Sequence, residues 1–306
     1  MTNQTIGSLA GPPADDQSAR PLSQPEPGVS VQRPARVPLG WLPPERGEFL
    51  LANQAGDGLP DTQRARVREA RDAVAARPGG IDQAGLVSAL PAELADHVAR
   101  LEMTPAGAMI RAEGWDIAMV DLDRIVAFQP HVFTDTATER VVGLDPDDPR
   151  SIAELTLPIN YTAPFSLQYD ELKQAYTITS PDPNLKVIGN IGGPLPDGVP
   201  GFGFKIGVAP PFMQVVRFQG RYLLRDGYHR SFGLLSRGIT RAPALVRDFD
   251  TTENLAPAGM LPQSVWLGDR PPLLRDYHDG RVAESVLLPA QHRVIVIHAL
   301  ELLALN

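Results

Sequence analysis

The sequence predicts an α+β fold, and three features of the chain carry that prediction. Residues 41–108 show helical spacing of apolar side chains. From residue 109 onward the texture is one of strands and turns. Residues 212–249 read as two strands, a turn, a helix and a further strand.

Residues 1–40 are rich in Pro, Ser, Gln and Gly and poor in large apolar residues. They are expected to form a disordered arm, with order beginning near Trp41 or Phe49. Within the helical unit, 41–108, a helix is expected over 61–77. Asp61 or Thr62 can cap it, Val67, Ala70 and Val74 repeat at helical spacing, and Pro78-Gly79-Gly80 ends it. Two more helices are expected over 86–90 and 92–103, the second with Leu94, Val98 and Leu101 on one face and Pro91 at its first turn.

The remainder, 109–306, opens with a strand at 116–120 and a short helix over 121–128 capped by Asp121. A turn cluster spans 145–149. Strands are expected at 155–159, 165–169 and 176–179, the last two as a hairpin. Residues 185–207 hold seven glycines. Their spacing fits neither a P-loop nor a dinucleotide fingerprint, and Pro194, Pro196 and Pro200 interrupt them, so an ordered Ω-loop or lid is expected. A hairpin over 212–224 turns at Gln219-Gly220, and a helix over 231–237 stops at Gly238. Strands follow at 244–249, 284–288 and 293–300.

The 306 residues, 43% of them hydrophobic, suffice for one large domain or two of ordinary size. The absence of cysteine removes disulfides, thiolate metal sites and cysteine nucleophiles. The first ten residues lack a basic n-region and an apolar core, and no apolar run approaches about 18 residues. A cytoplasmic protein without a membrane partner is therefore expected. A net charge of −8 argues against a general nucleic-acid coat. The cations are concentrated, however. Residues 217–247 contain seven arginines and one acid, Asp226, a window of +6 in a chain that is otherwise −14. An anionic ligand is expected there, with some of the arginines serving only as solvated strand and helix edges.

Inside that window lies Arg225-Asp226-Gly227-Tyr228-His229-Arg230. A strand that breaks at a glycine and re-enters as a helix aims backbone N–H groups and nearby cations at one point, which is the geometry that holds a phosphate. The other histidines (97, 131, 278, 292 and 298) are scattered without metal-ligand spacing.

Gly207-Val208, Pro211, Val215, Gly220-Arg221-Tyr222, the motif itself, Leu234, Gly238, Pro243 and Val246 together resemble the core of the ParB/sulfiredoxin superfamily over residues 205–250. Residues 120–125 with Gln129-Pro130 resemble the opening of ParB-type domains, which makes 131–205 an insertion. The resemblance implies a mixed-sheet core that binds a nucleotide or phosphate at the turn. Members include CTP-dependent DNA clamps, ATP-dependent sulfinic acid reductases, free-serine kinases and nucleases. Asp226 matches the acid of the "DGHHR"-like motif of the serine kinases. Tyr228 stands where sulfiredoxins place cysteine, which excludes that activity, and no helix-turn-helix follows residue 250, which argues against a partition clamp.

Carried over residue by residue, the resemblance implies that Gly227, His229 and Arg230 hold phosphate; read from the residues alone, Arg230 either grips a phosphate through two N–H donors or forms a structural ion pair with Asp226 or another acid. Ser231 either adds a hydroxyl or caps the helix. Asp226 is a general base, a Mg²⁺ ligand or a turn-forming residue, and His229 a donor, a general acid or a brace. Tyr228 either stacks on a base or packs. Arg221 and Arg225 share strand parity, so they would face one way and steer an anion, or be ordinary surface residues. The expected function is a nucleotide- or phosphate-binding protein using ATP or CTP with Mg²⁺, acting as a small-molecule kinase or NTP hydrolase. The alternatives are a non-catalytic or DNA-associated module, or a nuclease of the ParB-like type. The salt dependence of binding separates the nucleic-acid reading from the others.

Overall fold

The computed structural model describes residues 31–298, except 56–59, 183, 195–197, 253–254, 256–258 and 291–292. In chain order the elements are β1 (Gln32–Val37), α1 (Pro44–Ala55), α2 (Pro60–Ala75), β2 (Val87–Ser88), α3 (Ala95–Glu102), α4 (Pro105–Ala112), β3 (Asp116–Asp121), β4 (Val132–Phe133), α5 (Thr134–Arg140), α6 (Pro149–Thr156), β5 (Ser166–Asp170), β6 (Ala175–Ser180), β7 (Leu185–Pro194), β8 (Pro200–Val208), β9 (Gln214–Phe218), β10 (Arg221–Asp226), α7 (Tyr228–Ser236), β11 (Arg241–Asp248), α8 (Gln263–Trp266), β12 (Glu284–Pro289) and β13 (Arg293–His298). The class is α+β, as expected. Among the described residues no helix is long and apolar enough to cross a membrane.

The centre is a five-stranded mixed sheet in the order β10-β9-β11-β3-β2, in which β9 and β11 run parallel and the other neighbours antiparallel. Successive side chains of a strand point to opposite faces. Val215, Leu224 and Ala244 therefore share one buried cluster, and Val216, Leu223 and Leu245 another. The sheet is covered on both faces, and α7 packs its Leu234 on the first. Gln219 and Gly220, with φ of 47° and 76°, make the tight turn between β9 and β10 that this pair of residues predicts.

Three smaller sheets surround this core: β12-β1-β4, β13-β6-β5 and the ribbon β7-β8. The segment 116–130 lies against the motif half of the sheet. β3 pairs with β11, and Val126 exchanges backbone hydrogen bonds with Tyr222 and Leu224 of β10 (both 3.0 Å).

Several sequence expectations are corrected. Residues 1–30 of the expected arm lie outside the described residues, but 32–37 form β1 between β12 and β4, so order begins before Trp41. The described residues from Gln32 onward belong to one compact unit, and 41–108 is not a separate body: β2 joins the central sheet through β3. The helix expected over 86–90 is that short strand. The strand expected over 155–159 does not form: Leu155 and Thr156 end α6, which Asp148 caps at the N–H groups of Arg150 and Ser151 and Pro149 starts, and 157–159 are irregular. Residues 121–128 yield only a single 3-10 turn, Leu122–Arg124, capped by Asp121. The glycine-rich stretch is the β7-β8 ribbon, not an Ω-loop. Phe202 and Phe204 alternate along β8 with Gly201 and Gly203, a period-2 pattern that the glycine count conceals. The last two residues of the strand expected at 293–300 lie outside the described residues.

Candidate anion site at the start of helix α7

Helix α7 begins three residues earlier than expected. Gly227 is its N-cap, with φ 108° and ψ 16°, and no side chain caps the helix. A Cβ at 227 would stand 3.1 Å from Met213 Cγ and 3.4 Å from its Cα, so both the dihedral and the packing require glycine. Tyr228, His229 and Arg230 are thus the first helical residues, placed where backbone N–H groups lack intrahelical partners.

These residues border a cavity of about 460 Å³. One wall is the β10–α7 junction, from Arg225 to Arg230. The other walls come from Arg33 of β1, His131 and Phe133 at β4, Thr136 and Arg140 of α5, Pro181 and Asn184 after β6, and Arg293 of β13. Five arginines line it against one acid, Asp226.

Arg230 is 5% exposed. Its Nη2 donates to Asp226 Oδ1 at 3.3 Å, and Asp226 is 41% exposed at the side chain. Its Nη1 is buried without a partner. Burial lowers the proton affinity of this guanidinium, and the Asp226 carboxylate counters it.

His229 is largely buried, and burial, followed by His131, Arg140, Arg230 and Arg33, lowers its pKa to about 4. The ring is therefore neutral at pH 7. Its Nε2 accepts the Phe133 N–H at 3.3 Å, so the proton sits on Nδ1. The imidazole also lies parallel to the Phe133 ring, with centroids 6.2 Å apart. His229 is thus a neutral donor at pH 7 in the ligand-free protein.

Other expected site residues separate into two groups. Gly227, Asp226, Arg225, His229 and Arg230 converge on the cavity. Tyr228 borders it, but its phenol turns into the core, where the hydroxyl accepts the N–H groups of Phe128 (2.9 Å) and Gln129 (3.3 Å). Its ring meets Phe128 and Tyr277 edge to face and the residue is 4% exposed, so no base can stack on it. Burial pushes its phenol pKa far up, so it stays neutral. Ser231 is fully buried, with Oγ 4.0 Å from Met213 Sδ, because Gly227 has taken the capping position. Arg221 donates to the carbonyls of Trp266 (3.2 Å) and Gly268 (2.7 Å). Arg221 and Arg225 both lie on the Leu223 side of β10, as their parity predicts, but Arg221 is engaged beside Trp266 and only Arg225 lines the cavity. Arg225 donates to Gln214 Oε1 at 2.5 Å and lies over Trp115 and Phe249.

No family model, curated protein or solved structure matches this chain.

The residues that sequence reading missed are Arg33, His131, Phe133, Arg140 and Arg293. They come from four elements or connections spread over 260 positions, and none carries a local motif. Among the described residues no group of three or more His, Cys, Asp or Glu could hold a metal ion. Asp226 is a single carboxylate already facing Arg230. A Mg²⁺ ion at this place would take that carboxylate together with phosphate oxygens of a ligand.

Proposed function

We propose that this protein binds a phosphate-bearing small molecule of the nucleotide class at the β10–α7 junction, in the manner of the ParB/sulfiredoxin superfamily. One observation carries the reading: Arg230, which lines a cationic cavity, keeps its Nη1 buried without an acceptor. A buried donor left unpaired costs about 1–3 kcal/mol, so native structures rarely keep one without use. The start of α7 supplies further donors and a favourable dipole for an anion.

In this reading Arg230 and the first N–H groups of α7 hold a phosphate, and His229 donates from Nδ1. Asp226, a half-exposed lining residue, orients an acceptor hydroxyl or shares Mg²⁺ with the phosphates. That division of labour suits a small-molecule kinase or an NTP hydrolase using ATP or CTP. The DNA-associated alternative gains less support. The arginines of 217–247 are dispersed: Arg217 lies near Asp248 (3.8 Å), Arg237 donates to the Leu144 carbonyl (3.0 Å), Arg241 to Ser88 Oγ, and Arg247 lies over Trp115 and Phe249. Such scatter fits a discrete pocket better than a nucleic-acid groove.

The test is the melting temperature of the wild type and of Arg230→Met with ATP, CTP and GTP, each with and without Mg²⁺. Asp226 is exposed enough to be resolvated, so Arg230→Met is expected to be neutral or stabilising without ligand. It is expected to abolish a nucleotide-dependent rise seen in the wild type. No rise in the wild type, with a strongly destabilised Arg230→Met, would mark the guanidinium as a structural brace and overturn the reading.

A further inference from the structure

We propose that Arg140 is a second ligand-gripping arginine of this cavity, positioned by Asp182 and Tyr161, so that a phosphate group is clasped between α7 and the 131–205 segment. The proposal rests on the anion-site reading above and adds to it a second arm that the motif does not contain.

Arg140 closes α5 and lines the same cavity as Arg230. Its Nη1 donates to Tyr161 Oη at 3.3 Å and its Nη2 to Asp182 Oδ2 at 3.4 Å. A guanidinium has five N–H donors, so these two bonds leave about three for a ligand. The side chain is 32% exposed, which keeps those donors accessible.

Asp182 is built as an anchor. It is 6% exposed and accepts from Asn184 N (2.8 Å), Asn184 Nδ2 (2.9 Å) and the Tyr161 hydroxyl as well as from Arg140. Burial works against its ionisation, but the bonds from Tyr161 and Asn184 and the Arg140 charge outweigh that and hold its pKa below the ordinary value. Neither Asp182 nor Tyr161 lines the cavity, whereas Pro181 and Asn184 beside the acid do. The carboxylate therefore lies outside the cavity lining and holds the guanidinium through Nη2, while Tyr161 holds Nη1.

The two arms share one field. Arg140 depresses the proton affinity of both Arg230 and His229, and Arg33 presses on His229 as well. Of the five lining arginines, Arg33, Arg140 and Arg230 face Asp135, Asp182 and Asp226 respectively. A phosphate, with at least three acceptor oxygens, can meet Arg140, Arg230 and the start of α7 together, and a carboxylate, with two, cannot.

The test is calorimetric titration of inorganic phosphate, pyrophosphate and acetate into the wild type, Arg140→Gln, Arg140→Lys, Asp182→Asn, Tyr161→Phe and Arg230→Met. The wild type is expected to bind the two phosphates and not acetate. Arg140→Gln should weaken phosphate binding about ten- to hundred-fold, the loss of one charge-assisted contact, and Arg140→Lys should restore part of it. Asp182→Asn and Tyr161→Phe should each weaken binding when Arg140 is present and add nothing on the Arg140→Gln background, a coupling that a merely structural role would not produce. If Arg140→Gln binds phosphate as the wild type does while Arg230→Met does not, the second grip is overturned and the anion site stands. If the wild type binds neither phosphate, the anion site fails and the second grip with it.

Discussion

Gly233 of α7 lies directly beneath Val141, next after α5. A Cβ at 233 would stand 2.6 Å from Val141 Cγ1 and 2.7 Å from the Ala137 carbonyl oxygen. This close approach brings Arg140 and the start of α7 to one cavity. Helix propensity alone would make Gly233→Ala stabilising by about 1 kcal/mol. A backbone oxygen cannot yield as a side-chain tip can, and overpacking costs about 1–3 kcal/mol. Gly233→Ala is therefore expected to lower stability in chemical denaturation and to weaken phosphate binding by spreading α5 from α7. An unchanged or raised denaturation midpoint would show that the helices separate freely.

Gly227→Ala tests the turn itself. At φ 108° an L-residue is strained by about 1–3 kcal/mol, and the new methyl would press on Met213. The variant is expected to be less stable by that amount and to lose the anion-dependent rise in melting temperature. Retention of both would mean that the backbone bend is not what shapes the site.

Much of the motif half was legible in the sequence because its signals are local. Gln219-Gly220 specifies a tight hairpin turn, Gly238 stops α7, and the consecutive apolar pairs Val215-Val216 and Leu223-Leu224 specify a sheet buried on both faces. The start of α7 was misplaced because Ser231 is a good N-cap by type, whereas the dihedral at Gly227 decides the matter. The rest of the cavity was illegible for a different reason. Arg33 enters through the β1-β4 pairing and Arg293 through β13 beside β6, and pairings across such distances leave no trace in spacing. Asp182 reads as a turn residue, and only its contacts with Arg140 and Tyr161 give it a role.

Tyr228→Phe separates packing from recognition at the motif. The variant keeps the ring contacts with Phe128 and Tyr277 but leaves the buried N–H of Phe128 and that of Gln129 without their acceptor. A loss of about 1–3 kcal/mol is expected, with phosphate affinity close to wild type. A selective loss of nucleotide affinity at unchanged stability would instead give the phenol a place in the ligand site.

The depressed pKa of His229 makes stability depend on pH in a defined window. The native value is about 4, against an ordinary 6.5 for the unfolded chain. Below about pH 6.5 the unfolded chain takes up a proton that the folded ring refuses, so the contribution of His229 is complete above pH 6.5 and is lost as the pH falls toward 4. His131 and His278, also lowered by burial, tilt the curve the same way. The informative quantity is therefore the difference between the wild type and His229→Asn across that range. The groups facing the ring are His131, Arg140, Arg230 and Arg33, all acting against its protonation. A bound phosphate reverses that field, so inorganic phosphate is expected to raise the His229 pKa in an NMR titration and to bind with proton uptake near pH 5. A pKa that does not move at saturating phosphate would place the anion away from this ring.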